Sequence, residues 1–476
     1  MASSLVHHKR RIEDRISGLP EAVLCHILSF LTTLEAVQTS VLSHSWKNVW
    51  ASVPVLDLDE MKFYKHCVNS RKRYERSYFE EFVDDLLFNR GEANIYSFRL
   101  NVISGGMNSS HIDAWISTAI RHNVVELNLR VGKPTRPHFE IPMLLFTCST
   151  LMRLKLLLCE NFSATIPSSN CFPSLKFLHV TVQHPDSDLM EKFFSCFPAL
   201  EELIIDGDVA GATAYNLVIS APKLIRLHIW FIVPVAWNYE CQIFVTADTP
   251  NLEEVDIEYD CLVSYSLKNA NCLRKAKIFF HTENLEDRDY FLGLPDRICQ
   301  LFADICHARS LTVSSTIFSA VDIRYHSLLL TFGNLNHLEL QLQTCRYLQS
   351  LTTLLKISPN LEHLKISAFT EIFYGNQKSY CDDVELEHGW DAPESVPVCL
   401  ISHLKTICLW DFQGCPDDME VAMYLVKHGK ALNKVTIYNH FSNEEMELRS
   451  TIALWSKFSN FPRGSETCKI QFETMV

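Results

Sequence analysis

The chain has 476 residues, 47% of them hydrophobic, which is ample for a large core, and its formal net charge is −13. No basic domain or face offsets that charge, no secretory apolar region follows Met1, and no apolar run reaches bilayer length, so neither a nucleic-acid nor a membrane partner is expected. The 17 cysteines are scattered with none in Cys-x-x-Cys spacing, so buried free thiols are expected rather than a disulfide framework or a metal site.

In chain order, residues 1–13 form a basic tail. Its run His7-His8-Lys9-Arg10-Arg11 reads either as a solvated tail or as part of a nuclear address, and residence in the nucleus and/or cytoplasm is expected. The stretch from Ser17 to Trp50 is short yet dense in large apolar side chains. Leu24, Ile27, Leu28 and Leu31 recur at helical spacing, with Pro20 suited to the first turn. Thr32 and Glu35 have capping-box spacing and open a second helix, and Trp46, Val49 and Trp50 mark a third helical segment. Three short helices cannot bury all of these side chains against one another, so the surplus must face the next domain or a partner.

Asp14-Arg15-Ile16-Ser17, Leu19-Pro20, Leu24, Ile27-Leu28-Ser29-Phe30-Leu31, Glu35-Ala36, Val41-Leu42-Ser43 and Trp46-Lys47 together resemble the F-box, closely its plant form, over residues 14–60. Two departures stand out. Thr32-Thr33-Leu34 replaces the usual Pro-Thr-Lys turn, and His44-Ser45 replaces a usual basic pair. Charges at an interface edge act mainly on association rate and salt dependence, so the apolar contacts carry the resemblance. It implies docking on a Skp-type adaptor through Leu19, Pro20, Leu24, Ile27, Leu28, Val41, Leu42 and Trp46.

Residues 61–123 read as a charged, irregular linker followed by the start of the main body, with a helix from Phe79 to Asn89, a strand from Ile95 to Val102 and a helical turn or two from Trp115 to His122. Over residues 124–367 a unit of the form Leu-x-x-Leu-x-Leu repeats. Copies lie at Leu151/Leu154/Leu156, Leu175/Leu178/Val180, Leu200/Leu203/Ile205, Leu224/Leu227/Ile229, Leu252/Val255/Ile257, Leu273/Ala276/Ile278, Leu335/Leu338/Leu340 and Leu361/Leu364/Ile366. Weaker copies lie at Leu127/Leu129 and Leu311/Val313. The spacing fits leucine-rich repeats of roughly 20–29 residues. The last two apolar residues of each copy share one face of a strand, and the chain then returns by a helix or irregular segment. The expected class is therefore α/β: an N-terminal three-helix F-box, a leucine-rich-repeat solenoid with a curved parallel sheet, and a C-terminal module.

Residues 368–395 read as an acidic loop. Beyond it, Val396-Pro397, Cys399-Leu400, Leu404-Lys405-Thr406, Trp410, Gly414, Leu432, Lys434-Val435-Thr436-Ile437 and Phe461-Pro462-Arg463-Gly464-Ser465 with Cys468 resemble the FBD domain, over residues 396–476. Leu404/Ile407/Leu409 and Leu432/Val435/Ile437 read as two more repeat-like strands that cap the array.

No nucleophile elbow, phosphate loop, zinc-protease motif or EF-hand is present, so no catalytic residue, cofactor or metal is assigned. The residues between the repeat leucines should line the open, concave face. Among them His179, His228, Trp230, Asp256, Glu258 and Phe279 are the candidates for target binding, unless residues 231–242 fold over the aromatic pair. The combined resemblance to F-box/FBD/leucine-rich-repeat proteins implies the substrate-recognition subunit of an SCF-type ubiquitin ligase, joined through a Skp-type adaptor to a cullin. Two other readings are a repeat scaffold with a non-functional F-box and a small-molecule-gated receptor.

Overall fold

The computed structural model describes residues 15–67, 77–103, 107–132, 140–158, 165–167, 171–183, 187–208, 214–232, 242–259, 263–280, 294–315, 317, 330–342, 348–368, 392–410, 412, 416–439 and 454–474. They belong to two units, Met1–Gln183 and His184–Val476.

The first unit begins with α1 (Glu21–Leu28) and α2 (Thr33–Gln38). Pro20 stands at the N-cap of α1, one step before its first turn. The capping box of α2 is formed. The Glu35 backbone N–H donates to Thr32 Oγ1 (3.3 Å), and the Thr32 backbone N–H donates to Glu35 Oε2 (2.9 Å). The expected third helix is instead three short 3-10 turns, Thr39–Val41, His44–Trp46 and Val49–Ser52. This run is rich in Ser, Thr and Val, which favour backbone capping or lose rotamer freedom in an α-helix. Ser43 is extended between the first two turns.

Leu24, Leu28, Ala36, Trp46, Val49 and Val53 form the small core of this module. The module leads into β1 (Val55–Asp59), and the Asp57 backbone N–H donates to Thr33 Oγ1 at 2.7 Å, fixing α2 to that strand. Part of the expected linker is ordered helix α3 (Glu60–Cys67). Phe63 and Tyr64 are buried there, so two aromatic side chains override the charged composition. Then come α4 (Ser77–Asn89), β2 (Ser97–Val102), α5 (Ser109–Arg121), β3 (Glu126–Val131), α6 (Met143–Phe146), β4 (Arg153–Leu158) and β5 (Phe177–Gln183). The strands β1 to β5 pair in parallel and in chain order. Asn123 turns the chain from α5 toward β3 at φ 59°, a left-handed conformation that asparagine tolerates.

The second unit contains α7 (Ser187–Phe194), β6 (Glu202–Asp208), β7 (Ala214–Ser220), β8 (Arg226–Ile232), β9 (Gln242–Asp248), β10 (Glu254–Tyr259), β11 (Val263–Lys268) and β12 (Lys275–Phe280). It continues with α8 (Leu294–Ile305), β13 (Ser310–Ser314), β14 (His337–Leu342), α9 (Leu348–Ile357) and β15 (His363–Ala368). It ends with α10 (Val398–Ser402), β16 (Thr406–Trp410), α11 (Pro416–His428), β17 (Lys434–Asn439) and β18 (Lys469–Thr474).

Its main sheet runs β6-β8-β10-β12-β13-β14-β15-β16-β17-β18. The C-terminal module therefore continues the ladder of repeat strands: β15 pairs in parallel with β16, and β16 with β17. Beneath each strand the repeat leucines are buried, for example Leu338 and Leu340, or Leu364 and Ile366. Three return segments depart from the helix-or-irregular expectation. β7, β9 and β11 form a second, three-stranded parallel sheet. Their alternating Leu217/Ile219, Val245/Ala247 and Tyr265/Leu267 are buried, which is strand rather than helix periodicity. The acidic loop and the segment expected to overlie the sheet near 231–242 lie largely outside the described residues. No helix among the described residues is long and apolar enough to cross a membrane.

Candidate functional site

Two faces stand out, one in each unit. In the first, α1 splits its apolar residues between two stripes. Leu24 and Leu28 point inward, whereas Val23, Ile27, Phe30 and Leu31 remain on the surface. The stretch before α1 adds Ile16 and Leu19, and the first 3-10 turn adds Val41 at 85% and Leu42 at 67% exposure. The eight residues assigned to adaptor contact therefore separate. Leu19, Pro20, Ile27, Val41 and Leu42 are open to a partner, while Leu24, Leu28 and Trp46 are enclosed in the module's own core. Those three cannot present side chains to a partner, because the helices need them to hold together. Trp46 also donates its indole N–H to Ser17 Oγ at 2.9 Å, tying the turn that leads into α1 to the second 3-10 turn. Ile16, Val23, Phe30 and Leu31 were not assigned. For Val23, Ile27 and Phe30 the signal was the i, i+4, i+7 stripe that runs beside Leu24 and Leu28.

In the second unit the alternate residues of each strand line the open face of the main sheet. His228, Asp256 and Lys277 are register neighbours on β8, β10 and β12. His228 Nδ1 lies 3.3 Å from Asp256 Oδ2, and Lys277 Nζ lies 3.1 Å from the same oxygen and 3.6 Å from Glu258 Oε1. The hydrogen bond to Asp256 raises His228 above its ordinary imidazole value against the opposing effect of burial. Burial alone would raise Asp256, but the His228 hydrogen bond and the Lys277 ammonium outweigh it and hold the carboxyl below its usual range.

Beside this triad lies a pocket of about 290 Å³, lined by Glu202, Ile204, Arg226, His228, Asp256 and Lys277 among others. Its charges are already matched in part, with Arg226 Nη2 3.0 Å from Glu202 Oε2. Trp230 and Phe279 sit one step further along the strands, on either side of Glu258. Five of the six target-binding candidates are thus brought together. His179 is on β5 of the first unit, half-buried and next to Lys155 in register.

A second cluster on the same sheet joins the last repeat strands to the C-terminal module. Lys365 Nζ is 2.8 Å from Glu339 Oε1 and 4.5 Å from the centroid of the Trp410 ring. Trp410 packs at 4.5 Å against Tyr438, whose hydroxyl donates to Glu473 Oε2 at 2.8 Å. Neither aromatic residue was among the candidates, although both occupy alternate positions on the open face, Trp410 on β16 and Tyr438 on β17, in register with each other. The thiol of Cys399 is enclosed, and burial pushes it up to about 11, a value that leaves it protonated and unreactive.

Comparison with known proteins divides the chain in the same order. The F-box domain family matches residues 16–58, the family described as FBD-associated F-box protein At5g56370, LRR repeats, matches 112–278, and FBD matches 392–437. The chain is 31% identical to F-box/LRR-repeat protein At4g14096 of Arabidopsis thaliana, with 96% of this chain and 94% of the relative aligned. It is 28% identical to the probable FBD-associated F-box protein At1g32375, across 97% of this chain and all of that relative, and 28% identical to F-box/FBD/LRR-repeat protein At3g52680, across 97% and 93%, both also from Arabidopsis thaliana. These families are of the adaptor type rather than enzymes, and F-box domains generally bind Skp-type adaptors. With an F-box, a ladder of leucine-rich strands and an FBD module in one chain, the protein belongs to the plant F-box/FBD/leucine-rich-repeat family.

Proposed function

We propose that this chain is the substrate-recognition subunit of an SCF-type ubiquitin ligase. Its F-box docks on a Skp-type adaptor, which links it to a cullin, and the open face of its repeats holds the protein to be modified. The chain itself performs no chemistry. Tethering raises the effective concentration of target lysines near a ubiquitin-charged enzyme. The observation that supports this reading best is the exposed apolar surface of Ile16, Leu19, Ile27, Phe30, Val41 and Leu42 on so small a module. Each such side chain is worth roughly 1.5–3 kcal/mol when fully buried, although association entropy removes much of the sum. The assembly is proposed to reside in the nucleus and/or cytoplasm, which imaging of a tagged chain would test.

The decisive experiment is co-purification of the full chain with a Skp-type adaptor, beside a Val41→Asp, Leu42→Asp variant. Both positions are surface-exposed, so the variant should keep the parent's fold. The expected result is adaptor retained by the parent and lost by the variant. A folded parent that captures no adaptor would sink the ligase reading and leave a repeat scaffold.

A further inference from the structure

On the open face of β2, β3 and β4 the charge is opposite in sign to that of the chain as a whole. The alternate positions are Ser97, Arg99 and Asn101 on β2, Glu126, Asn128 and Arg130 on β3, and Arg153, Lys155 and Leu157 on β4. Four of them are bases and one is an acid, in a chain of formal net charge −13. Register sets Arg99 and Lys155 on either side of Asn128, and Arg130 stands two residues further along the same strand. Neighbouring strands lie about 4.8 Å apart and alternate residues of one strand about 6.8 Å apart, so the three cationic side chains spring from positions within about 10 Å of one another.

The carboxylates at hand are committed elsewhere or reach only part of this group. Glu126 Oε1 lies 3.9 Å from Arg153 Nε, and the same guanidinium covers the Phe177 ring, its Cζ 4.0 Å from the centroid. Asp57 Oδ2 on β1 lies 3.4 Å from Lys62 Nζ and 3.9 Å from Arg99 Nη1, so Arg99 holds the weaker share of it. Asp59 Oδ2 accepts from the Asn101 amide at 2.7 Å. Among the described residues Arg130 and Lys155 make no ion pair, and the Lys155 ammonium has only the Phe177 ring, 5.7 Å away. Asn128 is half-buried, and its amide makes no hydrogen bond among the described residues. An anion placed here meets three cations, whose mutual repulsion it relieves, and an amide N–H between them. The two arginines offer paired N–H donors in the geometry of a carboxylate.

We propose that the open face of β2, β3 and β4 binds an extended acidic segment of the target protein, its carboxylates held among Arg99, Asn128, Arg130 and Lys155. The proposal rests on the reading of the repeat face as the target-binding surface. Carboxylates on alternate residues of an extended segment are spaced like Asn128 and Arg130 themselves, about 6.8 Å apart. A nucleic acid suits the face less well. Bases need an aromatic platform on which to stack, and the one ring of this patch, Phe177, is 5% exposed beneath the Arg153 guanidinium. A basic segment is rejected by the same three cations that hold an acidic one.

The test uses the full chain and fluorescently labelled glycine-serine peptides that carry Glu-Gly-Glu, Gln-Gly-Gln or Lys-Gly-Lys at their centre, with binding followed by anisotropy at low and raised salt. The glutamate peptide should bind, more weakly as salt rises, and the other two should not. Arg130→Gln with Lys155→Gln should weaken the glutamate peptide by about tenfold, as expected for the loss of two exposed charge contacts. Arg130→Glu with Lys155→Glu should lose the glutamate peptide and gain the lysine peptide, an exchange that a merely structural role would not produce. Thermal melts of these variants should match the parent, since neither side chain has an ion pair to lose. Absence of glutamate-peptide binding by the folded parent, equal binding of the lysine peptide, or undiminished binding by the double glutamine variant would each overturn the proposal. So would tighter binding of a short oligothymidylate that the same variant abolishes, which would make the face a nucleic-acid site. Adaptor capture is scored separately in the same preparations. Its loss alongside intact glutamate-peptide binding strikes the ligase reading and leaves this one standing, and the reverse pattern strikes only this one.

Discussion

The F-box module and the open face of the repeat sheet both leave side chains uncommitted, but of opposite kinds. The module exposes aliphatic and aromatic surface that nothing within it can cover, because its core already holds Leu24, Leu28, Trp46 and Val49. The sheet exposes charges and then neutralises most of them internally, through His228–Asp256–Lys277 and Glu339–Lys365. The first arrangement suits a shared, constant partner, since apolar contact supplies affinity with little discrimination. The second suits a variable partner, since each paired charge penalises a wrong sequence and only the unmatched positions attract.

The largest expected effect would break the comparison at its base. Replacing both Leu24 and Leu28 by Ala should unfold the module, since each buried Leu→Ala change costs about 2–5 kcal/mol. Circular dichroism should register the loss together with adaptor release, in contrast to Val41→Asp with Leu42→Asp, where release comes without unfolding. If the core variant kept both fold and adaptor, the division between inward and outward stripes would be wrong. A smaller effect is expected at the capping box. Thr32→Ala should lower stability by about 1 kcal/mol, seen as a reduced denaturation midpoint with unchanged adaptor capture once folded.

On the sheet face the sharpest test is pH. His228 is raised, so its share of stability is full below the ordinary imidazole value and is lost as pH rises through its folded value. Asp256 is lowered, so its share is present above the ordinary carboxyl range and is lost as pH falls through its folded value. Melting temperatures of the parent relative to Asp256→Asn should therefore diverge most between those limits, converge below the lower one, and narrow without vanishing above the upper one, because the Lys277–Asp256 contact does not depend on His228, with Glu258 as the other charge facing the pair. A difference independent of pH would show that the pair contributes packing alone. The smallest effect belongs to Glu339 and Lys365, both about one-third or less exposed. A double-mutant cycle should return no more than about 1 kcal/mol, and raised salt should shrink it while leaving adaptor capture by the apolar module unchanged.

Much of this was legible in the chain. The last two apolar residues of each repeat, from Leu127/Leu129 to Leu364/Ile366, lie on strands of the parallel ladders, and Leu311/Val313 marked β13 despite its irregular surroundings. Thr32 and Glu35 announced their cap. These features are local, set by periodicity and by hydrogen bonds within a few residues. The apolar Trp46, Val49 and Trp50 suggest a third F-box helix, but the Ser and Thr positions around them, Thr39, Ser40, Ser43, Ser45 and Ser52, compete for backbone hydrogen bonds and the run breaks into 3-10 turns. The helix at Glu60–Cys67 was hidden by its charges.

By itself the sequence determined the class of fold, the order of its modules and the face on which each residue of the repeat strands lies, because strand alternation and repeat length are properties of the chain alone. Only the tertiary structure decided which apolar residues of α1 are core and which are surface, and that the returns at 214–220, 242–248 and 263–268 form a second sheet. It also decided register: Asp206, Trp230 and Glu258 are separated by tens of residues in the chain, and only the parallel pairing of β6, β8 and β10 sets two carboxylates on either side of one indole. Register between strands depends on the length and packing of every return segment, and that information is not carried by any single repeat.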